Sequence, residues 1–355
     1  MSVDEVLESV REGRASGDAT GIALLVDAWR SAPRAPGARF TVAPDGGTAG
    51  SISAGCVEAD LSEHVRAVTA GASPQLVRYG IADSDAAAVG LSCGGEIEVL
   101  VNRLEPDDPV WEWISSAGSQ GREGVLVTDL TNPVPGRQLI LTEEGKRIGT
   151  VGSTARDQLA SVLATQALRS RSRPEIHALG PAERLFVEPI LLPPRLFAVG
   201  ATANAIALAE LCRVAGLSVT IVEPRETLAQ RALDVGIATI GAEPATALDQ
   251  AKLGPGDAVA VLAHEPRIDV AALRAALKGG AGYVGLLGGR RTQQARREAL
   301  LEAGIDRGSI EKIRGPIGLS IGAESPHEIA ISILAELVQH WNLPDDPGGE
   351  PGYGQ

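Results

Sequence analysis

A change of rhythm at Pro193-Pro194 constrains this chain more than any other feature. Beyond it, segments 195–199, 217–222, 258–263 and 283–287 are short apolar runs. Segments 203–215, 270–277 and 292–303 carry apolar residues at helical spacing. Strands separated by helices of that length form βαβ units on a parallel sheet. Upstream the pattern is mixed: helices are expected at 3–14, 57–69, 111–119 and 153–168. Strands are expected at 21–29, 38–42, 76–79, 96–101, 125–130 and 139–141. No internal repeat is visible. The expectation is an α/β protein with an N-terminal mixed α/β domain over 1–188 and a C-terminal Rossmann-like parallel-sheet domain over 195–342. Segment 188–194, stiffened by its adjacent prolines, is the expected linker. The 343–355 tail has no apolar pattern and is expected to be disordered.

The 355 residues suffice for two cores, and 44% hydrophobic with 22% charged residues is an ordinary globular balance. With 32 basic against 45 acidic side chains, the net charge of −13 repels phosphate backbones and anionic membranes. Only 3 Phe, 4 Trp and 3 Tyr are present, too few for a base-stacking platform, so no nucleic acid is expected. No run approaches the ~18 apolar residues of a membrane span, and the acidic start does not resemble a signal peptide. Cys56, Cys93 and Cys212 lack metal-site spacing, which points to reduced thiols and a cytoplasmic location.

Several segments carry residue types suited to chemistry. The turn after 195–199 reads Gly200-Ala-Thr202-Ala-Asn-Ala205, with Glu223 where a dinucleotide fold places its ribose-binding acid. Thr202 replaces the glycine that lets backbone approach a pyrophosphate. Arg225 suits a 2′-phosphate or a neighbouring acid. A second glycine-rich turn, Gly288-Gly289-Arg290-Arg291, offers helix-start amides and two cations to an anion; the alternative is pairing with Glu298 or Glu302. Cys56, after Gly55, stands at an expected helix start, which favours thiolate, and Cys93 precedes Gly94 and Gly95. His264 follows a strand at its carboxyl end, as an acid, a base or a ligand. The alternative is a helix-start hydrogen bond, with Asp269 an exposed first-turn acid. Cys212 reads as packing, and His327 as part of a capping box begun by Ser325.

Taken together, these segments resemble the xanthine dehydrogenase accessory proteins (XdhC/CoxI). The likeness rests on Gly50-Ser-Ile-Ser-Ala-Gly-Cys56-Val-Glu58, Gly90-Leu-Ser-Cys93-Gly-Gly-Glu-Ile-Glu-Val, Phe186-Val-Glu-Pro with Pro193-Pro-Arg-Leu, Tyr283-Val-Gly-Leu-Leu-Gly288, and Gly315-Pro-Ile-Gly-Leu-Ser-Ile-Gly322 continuing to Glu336. The resemblance implies a maturation factor that binds molybdenum cofactor. Such a factor holds it while a cysteine desulfurase exchanges oxygen for sulfur, and inserts it into a molybdenum hydroxylase apo-enzyme. Cys56 and Cys93 then become candidates for the cofactor site, and a homodimer is expected. The family's usual Gly-Ala-Gly-His is Gly200-Ala201-Thr202-Ala203 here, its Thr-His-Asp is Ala263-His264-Glu265, and Gly289 replaces its serine. All these departures fall in the Rossmann half. A second expectation, drawn from Gly200, Glu223, Arg225 and His264, is an NAD(P)-dependent oxidoreductase that keeps the accessory-protein architecture. A third is a scaffold, dimeric through strands or helix 326–341.

Overall fold

The computed structural model describes residues 3–30, 32, 34–43, 46–80, 95–131, 133 and 135–342. Cys93, Gly94 and the 343–355 tail lie outside these. The chain divides into two compact units, with the division between Leu192 and Pro193.

The first unit runs α1 (Val3–Ser16), β1 (Thr20–Trp29), β2 (Arg39–Val42), β3 (Thr48–Gly50), α2 (Glu58–Thr69), β4 (Gln75–Tyr79) and β5 (Glu96–Leu104). It continues through α3 (Pro109–Ala117), β6 (Gly124–Asp129), β7 (Gln138–Thr142), β8 (Arg147–Gly149), α4 (Thr154–Ser170), β9 (Glu175–Ala178) and β10 (Arg184–Ile190). The strands form two antiparallel sheets, ordered β3-β2-β1-β5-β4 and β8-β7-β6-β10-β9. These two orders are the same topology: a helix, a three-stranded meander, a helix, then a hairpin whose second strand returns beside the first. The structure thus corrects the sequence reading, because the unit is an internal duplication.

Packing joins the two halves. Strand β1 is buried on both faces from Thr20 to Val26, which explains its unbroken apolar run. Ala23 and Leu25 pack with Leu61, Val65 and Val68 of α2. Ile22 joins Val6 and Val10 to Trp111, Ile114 and Leu126 from the second half. The expected linker also needs correction, since Glu188 and Pro189 belong to β10. Strand β9 pairs only with Arg184–Val187, so Pro189 has a partner strand on one side alone and its missing N–H is tolerated. Glu188 accepts from Arg39 of β2 at 2.7 and 2.5 Å, with both side chains about nineteen-twentieths buried.

The second unit runs β11 (Arg195–Val199), α5 (Ala203–Val214), β12 (Ser218–Val222), α6 (Glu226–Asp234), β13 (Thr239–Ile240), α7 (Pro244–Gln250), β14 (Ala258–Val261), α8 (Pro266–Gly279), β15 (Tyr283–Leu286), α9 (Arg290–Glu302), α10 (Arg307–Glu311) and α11 (Pro326–Asn342). Its sheet is parallel in the order β13-β12-β11-β14-β15, with an apolar cluster on each face. Cys212 is fully buried in one cluster, and burial pushes its thiol up to about 11. Before α11, the amides of Glu324 and Ser325 donate to Glu328, whose own amide donates to Ser325 Oγ. This is the capping box read from the sequence.

The Arg39–Glu188 pair ties the first sheet to the second. Removing one partner strands a buried charge, so Glu188→Ala should lower the unfolding free energy by about 3–5 kcal/mol in urea titration. The apolar double replacement Arg39→Met with Glu188→Leu should recover most of that loss.

Candidate functional site

The first candidate site lies between β3 and α2. Gly50 ends β3 at φ +78°, where an added Cβ would strike the Arg39 carbonyl and the Val6 side chain. The following loop closes around the Glu58 carboxylate. Its Oε1 accepts from Ser51 Oγ (2.9 Å) and the amides of Ile52 (3.0 Å) and Ser53 (2.8 Å). Its Oε2 accepts from Ser53 Oγ (2.5 Å) and the amides of Gly55 (2.9 Å) and Val57 (3.2 Å). Burial alone would raise the Glu58 pKa; the Ser53 and Ser51 hydrogen bonds outweigh it and hold the pKa at about 2. Cys56 sits in this loop, half-buried against the apolar cluster under α2. The neighbouring amides expected to favour its thiolate are donated to Glu58 instead.

Beside the loop opens a cleft of about 550 Å³ lined by Arg34, Phe40, Thr48, Gly55, Glu58 and Ala59 among others. Cys56 is not part of that lining, although its neighbour Gly55 is. The Tyr79 hydroxyl donates to Asp60 at 2.6 Å, and Tyr79 pairs with Ile97. The first turn of α2, the end of β4 and the start of β5, which Gly95 precedes, therefore share one end of the sheet. Cys93 falls in the connection between β4 and β5, outside the described residues.

The second candidate site is the carboxyl edge of the parallel sheet, where β11 and β14 lead to opposite sides. Gly200 takes φ +99° and packs on Ala263 so closely that a Cβ would not fit. Thr202 is the N-cap of α5, its side chain accepting from Ala205 N. Glu223 is fully buried, and both its oxygens are occupied. The Ala201 amide donates at 2.8 Å and the Arg225 amide at 2.9 Å, while Arg225 Nε and Nη2 donate at 2.7 Å each. Burial would raise the Glu223 pKa, but these donors lower it. Arg225 then reaches on to Glu265 at 3.4 Å.

This arrangement does not fit a bound dinucleotide. The carboxylate meant for ribose hydroxyls is spent on Arg225, and the first turn's Ala201 amide is spent on the carboxylate. His264 is exposed at φ +58°, a left-handed conformation that costs a non-glycine residue on the order of 1 kcal/mol. Asp269 corrects its expected exposure. It is 1% exposed and accepts from Arg296 Nε at 3.0 Å, and burial raises its pKa. At the next strand end, Gly288 takes φ +136° and Gly289 caps α9. Arg290 and Arg291 are exposed and make no pair with Glu298 or Glu302 among the described residues.

Sequence reasoning missed Arg34, an isolated cation in a Pro- and Ala-rich turn with no periodic signal. It also missed the organising role of Glu58, although an acid in the first turn of the helix expected over 57–69 was a usable sign. Because the folded Glu58 pKa of about 2 lies below the ordinary 4.5, its stabilisation is present above pH 4.5 and lost as pH falls towards 2. With allowance for solvent screening, Glu58→Gln should cost about 1–2 kcal/mol at pH 7 and flatten the acid limb of the stability–pH curve, measured by urea melts from pH 7 to 3.

Comparison with known proteins agrees with this two-unit picture. Residues 196–337 match the family model for the XdhC Rossmann domain and residues 13–80 match that for the XdhC and CoxI family, together more than half of the chain. A probable xanthine dehydrogenase subunit from Bacillus subtilis is 27% identical over 322 residues, covering 90% of this chain and 92% of that protein. The molybdenum cofactor insertion chaperone PaoD of Escherichia coli is 25% identical over 333 residues, covering 94% and 87% respectively. A crystal structure of a xanthine dehydrogenase from Bacillus halodurans matches with a TM-score of 0.66 at 23% identity, over 96% of this chain and 95% of that one, which shows a shared fold. The chain belongs to the XdhC and CoxI family.

Proposed function

We propose that this protein is a maturation factor that binds molybdenum cofactor and assists its insertion into a molybdenum hydroxylase. The observation that carries the reading is the cleft beside the Gly50–Glu58 loop, whose lining includes the cation Arg34. Support comes from family membership and from the chaperone relative, which aligns with 94% of this chain. The cofactor is cargo, and its chemistry suits the cleft. Its phosphate is matched by Arg34 in a chain otherwise dominated by acids. Glu58 holds the loop rigid, so the cleft walls are set before the cargo arrives. Cys56 and Cys93, with Gly55, Gly94 and Gly95 beside them, are the thiols offered to a cofactor whose sulfur a cysteine desulfurase supplies. The exposed Arg290 and Arg291 at α9 are a second candidate contact for the phosphate. The working form we propose is a homodimer.

The oxidoreductase reading draws no specific support from the geometry, because Glu223 is committed to Arg225 and the Ala201 amide, and Thr202 caps α5.

Two measurements test these statements. Full-length protein equilibrated with isolated molybdenum cofactor and passed through an ultrafiltration membrane should retain molybdenum in near-stoichiometric amount. Arg34→Ala should retain at least tenfold less, and absence of retention by the unaltered protein would sink the proposal. Calorimetric titration with NADH and NADPH should show no binding up to about 1 mM. Replacing Arg225 by Ala together with Thr202 by Gly should admit NADH, since Glu223 would then face solvent with only its two amide donors.

A further inference from the structure

The duplication in the first unit holds residue by residue, and it supplies a control for the candidate cleft. Gly50 and Gly149 both end the third strand of their meander, at φ +78° and +82°. An added Cβ would strike equivalent atoms in each: the Arg39 or Gln138 carbonyl, and the Val6 or Val110 side chain. Ser51 Oγ donates to Glu58 at 2.9 Å, and Thr150 Oγ1 donates to Asp157 at 2.9 Å. The amides of Ile52 and Val151 donate to the same carboxylates at 3.0 and 2.8 Å. Ser62 and Ser161 each return a hydroxyl to the carbonyl of that acid at 2.7 Å. Buried Leu61, Val65 and Val68 of α2 correspond to buried Ala160, Ala164 and Ala167 of α4. The correspondence runs without a gap from Arg39 and Gln138 to Val68 and Ala167.

Against this common frame the differences cluster at the cleft. In the second copy the helix begins at Thr154, capped by Ser153. In the first copy the same turn is unwound: Ala54 takes φ +61°, Gly55 takes φ +116°, and α2 begins only at Glu58. Thr48 and Ala59 line the cleft where the second copy has Arg147 and Gln158. The fold therefore needs neither the unwound turn nor the small side chains. Among the polar lining residues, Ser51, Glu58 and Ser62 are engaged in the shared frame. Arg34 and Thr48 make no side-chain hydrogen bond among the described residues.

We infer that the cleft is a ligand site opened by unwinding one helical turn of a duplicated module, and that it takes a phosphorylated heterocycle with its phosphate at Arg34 and Thr48. The inference rests on the proposed function and narrows it to one copy of the module. Gly50, Ser51, Glu58 and Ser62 are framework, whereas Arg34, Thr48, Gly55 and Ala59 are ligand-facing.

The test uses full-length protein carrying Ala59→Gln, the second copy's residue, or the bulkier Ala59→Trp, with Thr48→Val as a hydroxyl deletion. Thermal melts should stay within about 3 °C of the unaltered protein, since the second copy tolerates side chains there. Retention of isolated molybdenum cofactor should fall at least tenfold in Ala59→Trp and several-fold in Thr48→Val. If the unaltered protein and Ala59→Trp retain it equally, the cleft assignment is overturned while the maturation role stands. If the unaltered protein retains none, the maturation role fails, and calorimetry with guanosine and cytidine monophosphates decides the cleft. Binding that Ala59→Trp weakens tenfold supports the assignment, and no binding overturns it.

Discussion

Three carboxylates that accept backbone amides hold the strand-to-helix turns of this chain in shape, two of them at the candidate sites. Such turns gather N–H groups that have no partner in the helix, and an anion is their natural complement. In this chain the anion is internal each time. Glu58 collects four amides and two hydroxyls, Asp157 takes the equivalent place in the second copy, and Glu223 takes the Ala201 amide at the head of α5. The effect is to fix the loops without a ligand. It also removes the donors that a free phosphate or a dinucleotide would otherwise use.

The consequence differs between the two units. At the parallel sheet, Glu223, just past the end of β12, is joined by Arg225, which also reaches Glu265. A ligand entering there would have to break hydrogen bonds near 2.7 Å between a fully buried carboxylate and a guanidinium. In the first unit the carboxylate is satisfied by the loop that carries it, so no cation is consumed. Arg34 is left in the lining of the cleft. Similar turn chemistry thus closes one site and leaves the other open.

Much of the fold was legible. Each parallel strand of ordinary length was visible as an apolar run, and Ser325-Pro-His-Glu328 predicted the start of α11. The two-residue β13 and the short α6, α7 and α10 lack enough residues to show a period. Glu188-Pro189 read as linker because proline rarely sits inside a sheet, and a one-sided strand is the exception. The duplication was invisible for a simpler reason. A sheet interior asks only for apolar residues of suitable volume, so Leu61, Val65 and Val68 correspond to Ala160, Ala164 and Ala167 with no shared letters. Glu58 and Asp157 share a carboxylate and little else. Arg34 had no neighbours in a pattern, and Thr202, read as an obstruction, proves also to be a helix cap.

The allocation of hydrogen bonds also bears on the thiol. A cysteine at a helix start becomes a thiolate when the helix amides and the dipole favour its negative charge. Here the amides on either side of Cys56, those of Gly55 and Val57, are bound to an acid that stays ionised down to about pH 2. The geometry consequently separates two tasks that the sequence placed on one segment. In the proposed reading the attraction for an anionic ligand falls to Arg34, outside the loop, and Cys56 is a soft, half-buried sulfur packed against the apolar cluster under α2.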